Sequence, residues 1–251
     1  MAGDFWKEVL FYRTVDSTNE LASSLSSQKK TESGTVIIAD MQSKGRGRLG
    51  RKWISPPGVN IYMSVILKPE MEPRDATLLT ILSAVACTVA IRAGSGVPVS
   101  IKWPNDLVVS GKKIGGILTE VKTGLNKINT AIIGIGLNVN LEPSEFPDEI
   151  KALATSLKAE SGKHHARGKI IISILKEIEF WFYILKREGR VPLLEEWRRL
   201  SSTLGKEVVV TIGEDTVRGM AEDIDDEGLL ILGLPSGLKK KISAGDISIL
   251  R

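Results

Sequence analysis

Histidine is almost missing from this chain of 251 residues: there are two, His164 and His165, side by side. Adjacent imidazoles suit neither a zinc site nor a catalytic triad, and a surface loop is the better expectation for them. Cysteine is scarcer still. Cys87 stands alone inside an apolar run, so no disulfide forms within the chain, and a reducing cytoplasm is the simplest compartment. Its expected role is that of a small buried hydrophobe. With so few of these side chains, neither a Ser-His-Asp nor a Cys-His set can be assembled, and covalent catalysis by a protein side chain is not expected. The phosphate loop that needs Gly, four residues and then Gly-Lys-Ser/Thr does not occur. No uninterrupted run reaches the roughly 18 apolar residues of a membrane span, and Met1 to Leu10, with Asp4, Lys7 and Glu8, does not read as a signal peptide. Nor is there an excess of one charge: 34 basic residues face 30 acidic ones, for a net +4. That balance permits an anionic ligand without arguing for nucleic acid.

What is present is concentrated. Gly45-Arg46-Gly47-Arg48-Leu49-Gly50-Arg51-Lys52-Trp53 holds three glycines, three arginines, a lysine and a tryptophan in nine residues. It follows the apolar run Thr35 to Ala39, which reads as a buried strand, and precedes the turn signal Pro56-Pro57-Gly58. Glycines let backbone N–H groups come close to an anion. Arginine forks bind carboxylate or phosphate oxygens in pairs, and the tryptophan offers a flat face to a base. The segment reads as a clamp for a nucleotide phosphate beside a second, acidic ligand. A solvated loop and a nucleic-acid patch are its competing readings.

In chain order, Asp16, Ser17 or Thr18 can cap a helix that continues through Leu21 and Leu25. The same side chains could instead serve a ligand at the helix N-terminus. Strands are expected at 35–40, 60–67, 99–103, 107–109, 113–121 and 129–140, with apolar helices at 76–93, 170–187 and 193–204. Gly115, Gly116, Gly134 and Gly136 fall inside two neighbouring strands, where glycine marks a bulge or a close approach; together they suggest a floor for a flat ligand. Leu141 to Phe146 reads as a proline-broken loop. Beyond Leu204-Gly205, short strands separated by acidic or glycine turns indicate a small separate β-barrel. The polar exceptions gather into one set: neutral Ser17, Thr18, Asn19 and Gln42, cationic Arg46, Arg48, Lys102 and Lys113, then Asn105 and Asp106 at a proline turn. Such a set suits positioning and charge neutralisation during attack at phosphorus.

Ser17-Thr18-Asn19, Gln42 with Gly45-Arg46-Gly47-Arg48 and Arg51-Lys52-Trp53, Lys102-Trp103-Pro104-Asn105-Asp106, Lys113-Ile114-Gly115-Gly116-Ile117-Leu118 and Gly134 to Asn140 occur in that order. In order and spacing they resemble the successive motifs of biotin protein ligases, from about Val15 to the end of the chain. The resemblance implies an α+β fold: a catalytic domain like that of class II aminoacyl-tRNA synthetases, with a mixed, largely antiparallel sheet flanked by helices, and a small C-terminal SH3-like β-barrel. It implies a catalytic domain over 1–203 and a barrel over 204–251. Only about 14 residues precede Val15, so the resemblance is to the form without the N-terminal DNA-binding module, and no DNA is expected as a partner.

The implied reaction has two steps. The biotin carboxylate attacks the α-phosphorus of ATP, giving biotinyl-5′-AMP and pyrophosphate, with Mg2+ accompanying the nucleotide. A lysine of a biotin carboxyl carrier domain of a biotin-dependent carboxylase then takes the biotinyl group. The resemblance assigns biotin to Ser17, Thr18, Asn19, Gln42, Gly45, Arg46, Lys113, Gly115, Gly116 and Gly134. It assigns ATP to Arg46, Arg48, Arg51, Trp53, Asn105 and Asn138, and catalysis to Arg48, Lys113 and Asp106. Asp106 could be a metal ligand, a partner for Lys113 or an orienter of the incoming amine. Asn138 and Asn140 also suit hydrogen bonding at a strand end, and Lys102 and Trp103 are open between structure and function. A cytoplasmic homodimer with no membrane contact is the family expectation. A lipoate or octanoate ligase on the same fold is the alternative enzyme, and a basic nucleic-acid-binding protein the alternative outside enzymes.

Overall fold

A computed structural model describes residues 5–250. Its chain order is β1 (Glu8–Val15), α1 (Thr18–Ser27), β2 (Thr35–Gln42), β3 (Ile61–Leu67), α2 (Ala76–Ser95), β4 (Ser100–Lys102), β5 (Asp106–Val109), β6 (Lys112–Thr123), β7 (Ile128–Leu137), α3 (Asp148–Lys151), α4 (Leu157–Ser161), α5 (Arg167–Glu188) and α6 (Val191–Leu200). Five short strands follow: β8 (Glu207–Ile212), β9 (Asp215–Ile224), β10 (Leu230–Gly233), β11 (Lys239–Ile242) and β12 (Asp246–Ile249).

Strands β1 to β7 form one sheet in the order β1-β2-β3-β7-β6-β5-β4. The β1–β2 pair is parallel and joined through α1; the other five pairs are antiparallel. Strand β1 was not expected from the sequence. It is an edge strand with Val9 and Phe11 exposed, so it lacks the buried apolar run that betrays β2 and β3.

One face of the sheet carries α2, α5 and α6. Helix α2 is apolar round most of its circumference, with Leu78, Leu79, Leu82, Val85 and Ala86 all buried. It ends where Gly96 adopts a left-handed φ of 73° and its N–H bonds the Arg92 carbonyl. By length and hydropathy, Pro73–Ser95 would pass as a membrane span, which run lengths alone did not show; 67% of its most apolar window is buried inside the fold, as in a core helix. Cys87 lies on α2 at 0% exposure, and desolvation pushes its thiol well above the ordinary range. The other face carries α1 alone, over a small cluster of Ala22, Ile37, Ile66 and Ile132. Because α1 covers only part of that face, the rest lies open as a cleft.

The last five strands make an antiparallel sheet in the order β11-β10-β9-β8-β12, consistent with an SH3-like barrel. It is tied tightly to the larger unit. The Trp103 Nε1–H donates to the Gly228 carbonyl (3.2 Å) and its backbone N–H to Thr203 Oγ1 (3.0 Å). Trp103 is therefore a buried strut. The apolar cluster under α2 continues into the barrel through Val208, Ala221 and Leu230.

Candidate active site

The open part of the sheet face is a cleft of about 810 Å³. Six cations border it (Arg46, Arg48, Arg51, Lys52, Lys102 and Lys113) against three carboxylates, Asp106, Glu149 and Asp246. An excess of positive charge in a partly desolvated cleft favours anionic ligands. The fold thus gathers residues from α1, the β2–β3 loop, β5, β6 and β7. Of the site residues expected from the sequence, Ser17, Thr18, Asn19, Gln42, Arg46, Arg48, Arg51, Trp53, Asn105, Asp106, Lys113, Gly116, Gly134 and Asn138 line it.

Gly45 and Gly115 do not line it. A Cβ on Gly45 would fall 2.2 Å from the Trp53 carbonyl and 2.6 Å from Ser55 Oγ, so glycine is required there for the loop to close on itself. Gly115 faces the helix-covered side, where a Cβ would meet the Gly136 carbonyl, Leu107 and Leu137 at 3.0–3.2 Å.

At one end of the cleft is a neutral cradle. Ser17 occupies the N-cap position of α1, but its side chain caps no helix N–H. The Thr18 backbone N–H donates to Gln42 Oε1 (2.9 Å), and Gln42 Nε2 donates to Ser55 Oγ (3.0 Å). These bonds fix which way the Gln42 amide points. Asn19 Nδ2 donates to Glu120 Oε2 (2.7 Å) and the Leu118 carbonyl (3.2 Å).

Four of the six cations are held by protein partners. Arg48 Nη1 donates to Asn105 Oδ1 (2.9 Å), and Asn105 is in turn fixed through Nδ2 to the Ile117 carbonyl (2.7 Å). Burial pushes the Arg48 guanidinium below its ordinary range, opposed by Asp246 and Asp106, yet arginine stays charged throughout. Lys113 Nζ lies 2.5 Å from Asp106 Oδ1 and 5.5 Å from the centre of the Trp53 ring. Of the three roles open to Asp106, the geometry displays the partner of Lys113. Arg46 bridges Glu20 (3.2 Å) and Glu120 (3.4 Å). Arg51 pairs with Asp246 of the small barrel.

The glycine floor is divided between two protein side chains. Gly116 and Gly136 face each other across β6 and β7, and the Trp53 indole lies over them: a Cβ on Gly136 would sit 2.6 Å from Trp53 Cε2. The indole Nε1–H is buried with no hydrogen-bond partner among the described residues. Gly134 admits Asn19, whose Oδ1 lies 2.3 Å from the Cβ that an alanine would bring. Asn138 and Asn140 serve strand ends. Asn138 Nδ2 bonds the Thr155 carbonyl (3.0 Å), and Asn140 exchanges two bonds with the His165 backbone.

Two walls of the cleft were not foreshadowed. Leu141, Phe146, Ile150 and Leu153 form one, from the proline-broken loop and α3. The apolar spacing of Phe146 and Ile150 was the available signal. Asp246, Ile247 and Ser248 of β12 form the other, and nothing local in the sequence marks them.

Comparison with known proteins agrees with this geometry. Residues 10–138 match the Biotin/lipoate A/B protein ligase family, and residues 203–250 match the Biotin protein ligase C terminal domain. The chain is 38% identical over 238 residues to the bifunctional ligase/repressor BirA of Bacillus spizizenii, covering 95% of this chain and 73% of that protein. It is 32% identical to the biotin–[acetyl-CoA-carboxylase] ligase of Mycobacterium tuberculosis, covering 100% and 92%. A biotin protein ligase from Aquifex aeolicus, solved in complex with biotin and ATP, superposes with a TM-score of 0.84 at 31% identity, covering 98% of this chain and 100% of that one.

Proposed function

The chain belongs to the biotin/lipoate A/B protein ligase family, and we propose that it is an ATP-dependent biotin protein ligase. The observation that carries this reading is a single cleft holding a neutral hydrogen-bonding cradle at one end and six cations around it. A biotin carboxylate and a triphosphate repel each other, and the cations offset that repulsion. A carboxylate oxygen attacks the α-phosphorus, pyrophosphate leaves, and biotinyl-5′-AMP forms. A carrier lysine amine then attacks the biotinyl carbonyl, forming an amide and releasing AMP.

The residue roles follow from chemistry. Ser17, Thr18 and Gln42 hold the ureido ring, whose polar atoms would cost about 1–3 kcal/mol each if buried unpaired. Arg48 and Lys113 neutralise carboxylate and phosphate charge, with Asp106 and Asn105 orienting them. Arg46 turns from Glu20 and Glu120 to the ligands as they enter. Trp53 leaves the glycine floor to pack on the adenylate, which gives its orphan N–H a partner and frees Gly116 and Gly136 to lie against biotin. Closing the basic loop over the pair would shield the anhydride from water. The same polar cradle disfavours a lipoyl chain, which has little to pair with it.

Magnesium would arrive with the nucleotide and neutralise phosphate charge. Among the described residues no three His, Cys, Asp or Glu side chains cluster as a metal site. Mg2+ ordinarily takes one or two carboxylates plus phosphate oxygens, and Asp106 could supply one. We read the chain as divided at 203/204, with the small barrel completing the rim, and as a cytoplasmic homodimer. A lone buried cysteine suits a reducing compartment, and the open edge strand β1 could receive a second copy. Of the relatives' two activities, only the ligase activity is carried over.

The test supplies ATP, Mg2+ and radiolabelled biotin with a carrier domain. Label on one carrier lysine and biotin-dependent ATP–pyrophosphate exchange are the expected results. Absence of both sinks the reading, and competition by lipoate but not by biotin would move it to a lipoate ligase.

A further inference from the structure

Strand β3 reads Ile-Tyr-Met-Ser-Val-Ile-Leu and every residue in it is buried. Ser64 is its polar intruder, at 0% exposure. It does not line the cleft. It stands behind the cradle, paired in register with Ile37 on one side and Gly134 on the other. Its Oγ lies 2.6 Å from Asn19 Oδ1 and 2.8 Å from Thr18 Oγ1.

Counting protons fixes the direction of every bond in this chain. Asn19 Nδ2 is committed to Glu120 and the Leu118 carbonyl, so Oδ1 must be the atom that meets Ser64. A carbonyl oxygen only accepts, so the single Ser64 proton goes to Asn19. Ser64 can then only accept from Thr18. The Thr18 proton has two acceptors in reach, Ser64 Oγ at 2.8 Å and Gln42 Oε1 at 3.2 Å. The second already receives the Thr18 N–H. Sending the proton to Gln42 would leave lone pairs of Thr18 and Ser64 facing each other. The consistent arrangement runs from Thr18 to Ser64 to Asn19, with Asn19 pinned by Glu120. The Thr18 hydroxyl therefore has no proton to give the cleft and offers it a lone pair.

We propose that Ser64 is a positioning residue: by taking the Thr18 proton it sets Thr18 as an acceptor and selects a ligand that presents an N–H at that point. This rests on the biotin reading above, since a ureido ring carries two such N–H groups. Without Ser64, Asn19 Oδ1 loses its donor and Thr18 keeps only the longer, shared acceptor. Thr18 then loses its fixed polarity and Asn19 keeps a buried oxygen without its donor, although neither side chain is itself altered.

The test is titration calorimetry of the full chain with biotin and, separately, with ATP. Ser64→Ala is expected to weaken biotin binding about tenfold, the order of one mis-set buried hydrogen bond, and to leave ATP affinity within twofold. In turnover, KM for biotin rises while kcat stays near wild type. Thr18→Val made in the Ser64→Ala background is expected to cost much less than in wild type, because the two act as one relay. Desthiobiotin, which keeps the ureido ring, follows biotin, and an N-methylated ureido analogue loses its sensitivity to Ser64. If Ser64→Ala does not fold, Ser64→Cys takes its place; its weaker donor is expected to cost at least threefold in biotin affinity. Equal biotin affinity in variant and wild type, additive double mutants, or equal losses for biotin and ATP overturn the inference alone. Wild-type protein that binds no biotin overturns the ligase reading and this inference with it.

Discussion

Met63 and Ser64 are neighbours on β3, both fully buried, and they point to opposite sides of the sheet. On the Met63 side, α2 and α5 lay a continuous apolar layer that runs on into the small barrel. On the Ser64 side, α1 sets Ala22 over three buried isoleucines of the sheet, and beyond it a chain of hydroxyls and amides leads to a cleft with an apolar wall and a ring of cations. Contacts on the first side are non-directional and many, so each is replaceable at a cost in stability. Contacts on the second are directional and few. Altering one should be read out in binding or catalysis rather than in melting temperature. One set of strands thus separates what holds the fold from what serves the ligands, by the alternation of side chains alone.

The largest expected effects come from one residue on each side. Lys113→Ala removes a cation that pairs with Asp106 and lies near the Trp53 face in the cleft. ATP–pyrophosphate exchange should show kcat falling about 10²- to 10³-fold, with thermal unfolding little changed. Leu82→Ala, at 0% exposure under the other face, should lower unfolding free energy by about 2–5 kcal/mol in denaturant titration. Biotin affinity at temperatures well below the transition should stay the same. A large loss of binding in Leu82→Ala, or of stability in Lys113→Ala, would break the separation.

How much of this was legible depended on which side a residue faces. Helices α2 and α5 announce themselves through apolar spacing, and strands β2, β3 and β7 through buried runs. The polar residues of the cleft stood out because they interrupt such runs or cluster in one loop. Strand β1 escaped notice because an edge strand with Val9 and Phe11 exposed has no half-buried pattern to read. Phe146 and Ile150 escaped because one lies in a loop and the other in a helix of only four residues, and two apolar positions four apart are too few to set a period. The partners of Arg46 and Arg51 lie 74 and 195 residues away in sequence, a relation that no local pattern encodes. The four strand glycines were grouped as one floor, but period-2 alternation already puts Gly115 and Gly116 on opposite sides, and the register of β6 on β7 sets Gly116 with Gly134 and Gly136.

That glycine set sharpens the comparison at smaller amplitude. Gly115→Ala pushes a methyl against backbone and two leucines of the packed side and should cost about 1–3 kcal/mol of stability, read by chemical denaturation. Gly136→Ala pushes a methyl into the Trp53 indole at 2.6–3.0 Å, and that ring stands at the edge of a cleft with room to move. Stability should change less than for Gly115→Ala. Tryptophan emission should shift in the free protein, and its response to biotin plus ATP should shrink, because part of the ring's displacement has already taken place.

The smallest effect belongs to the Arg51–Asp246 pair, the point where the basic loop meets the small barrel. The Arg51 side chain is 66% exposed, and a pair so open to water contributes about 0–1 kcal/mol. Arg51→Ala and Asp246→Asn should therefore both leave the melting temperature nearly unchanged. Their kinetics should diverge. Arg51→Ala removes a cation from the nucleotide end and should raise KM for ATP severalfold. Asp246→Asn leaves that cation in place with no competing carboxylate and should lower KM for ATP or leave it alone, with the difference shrinking as salt is raised. If both substitutions change KM in the same direction by the same factor, the pair acts as a strut that places the loop, and Arg51 moves from the ligand side of the comparison to the structural one.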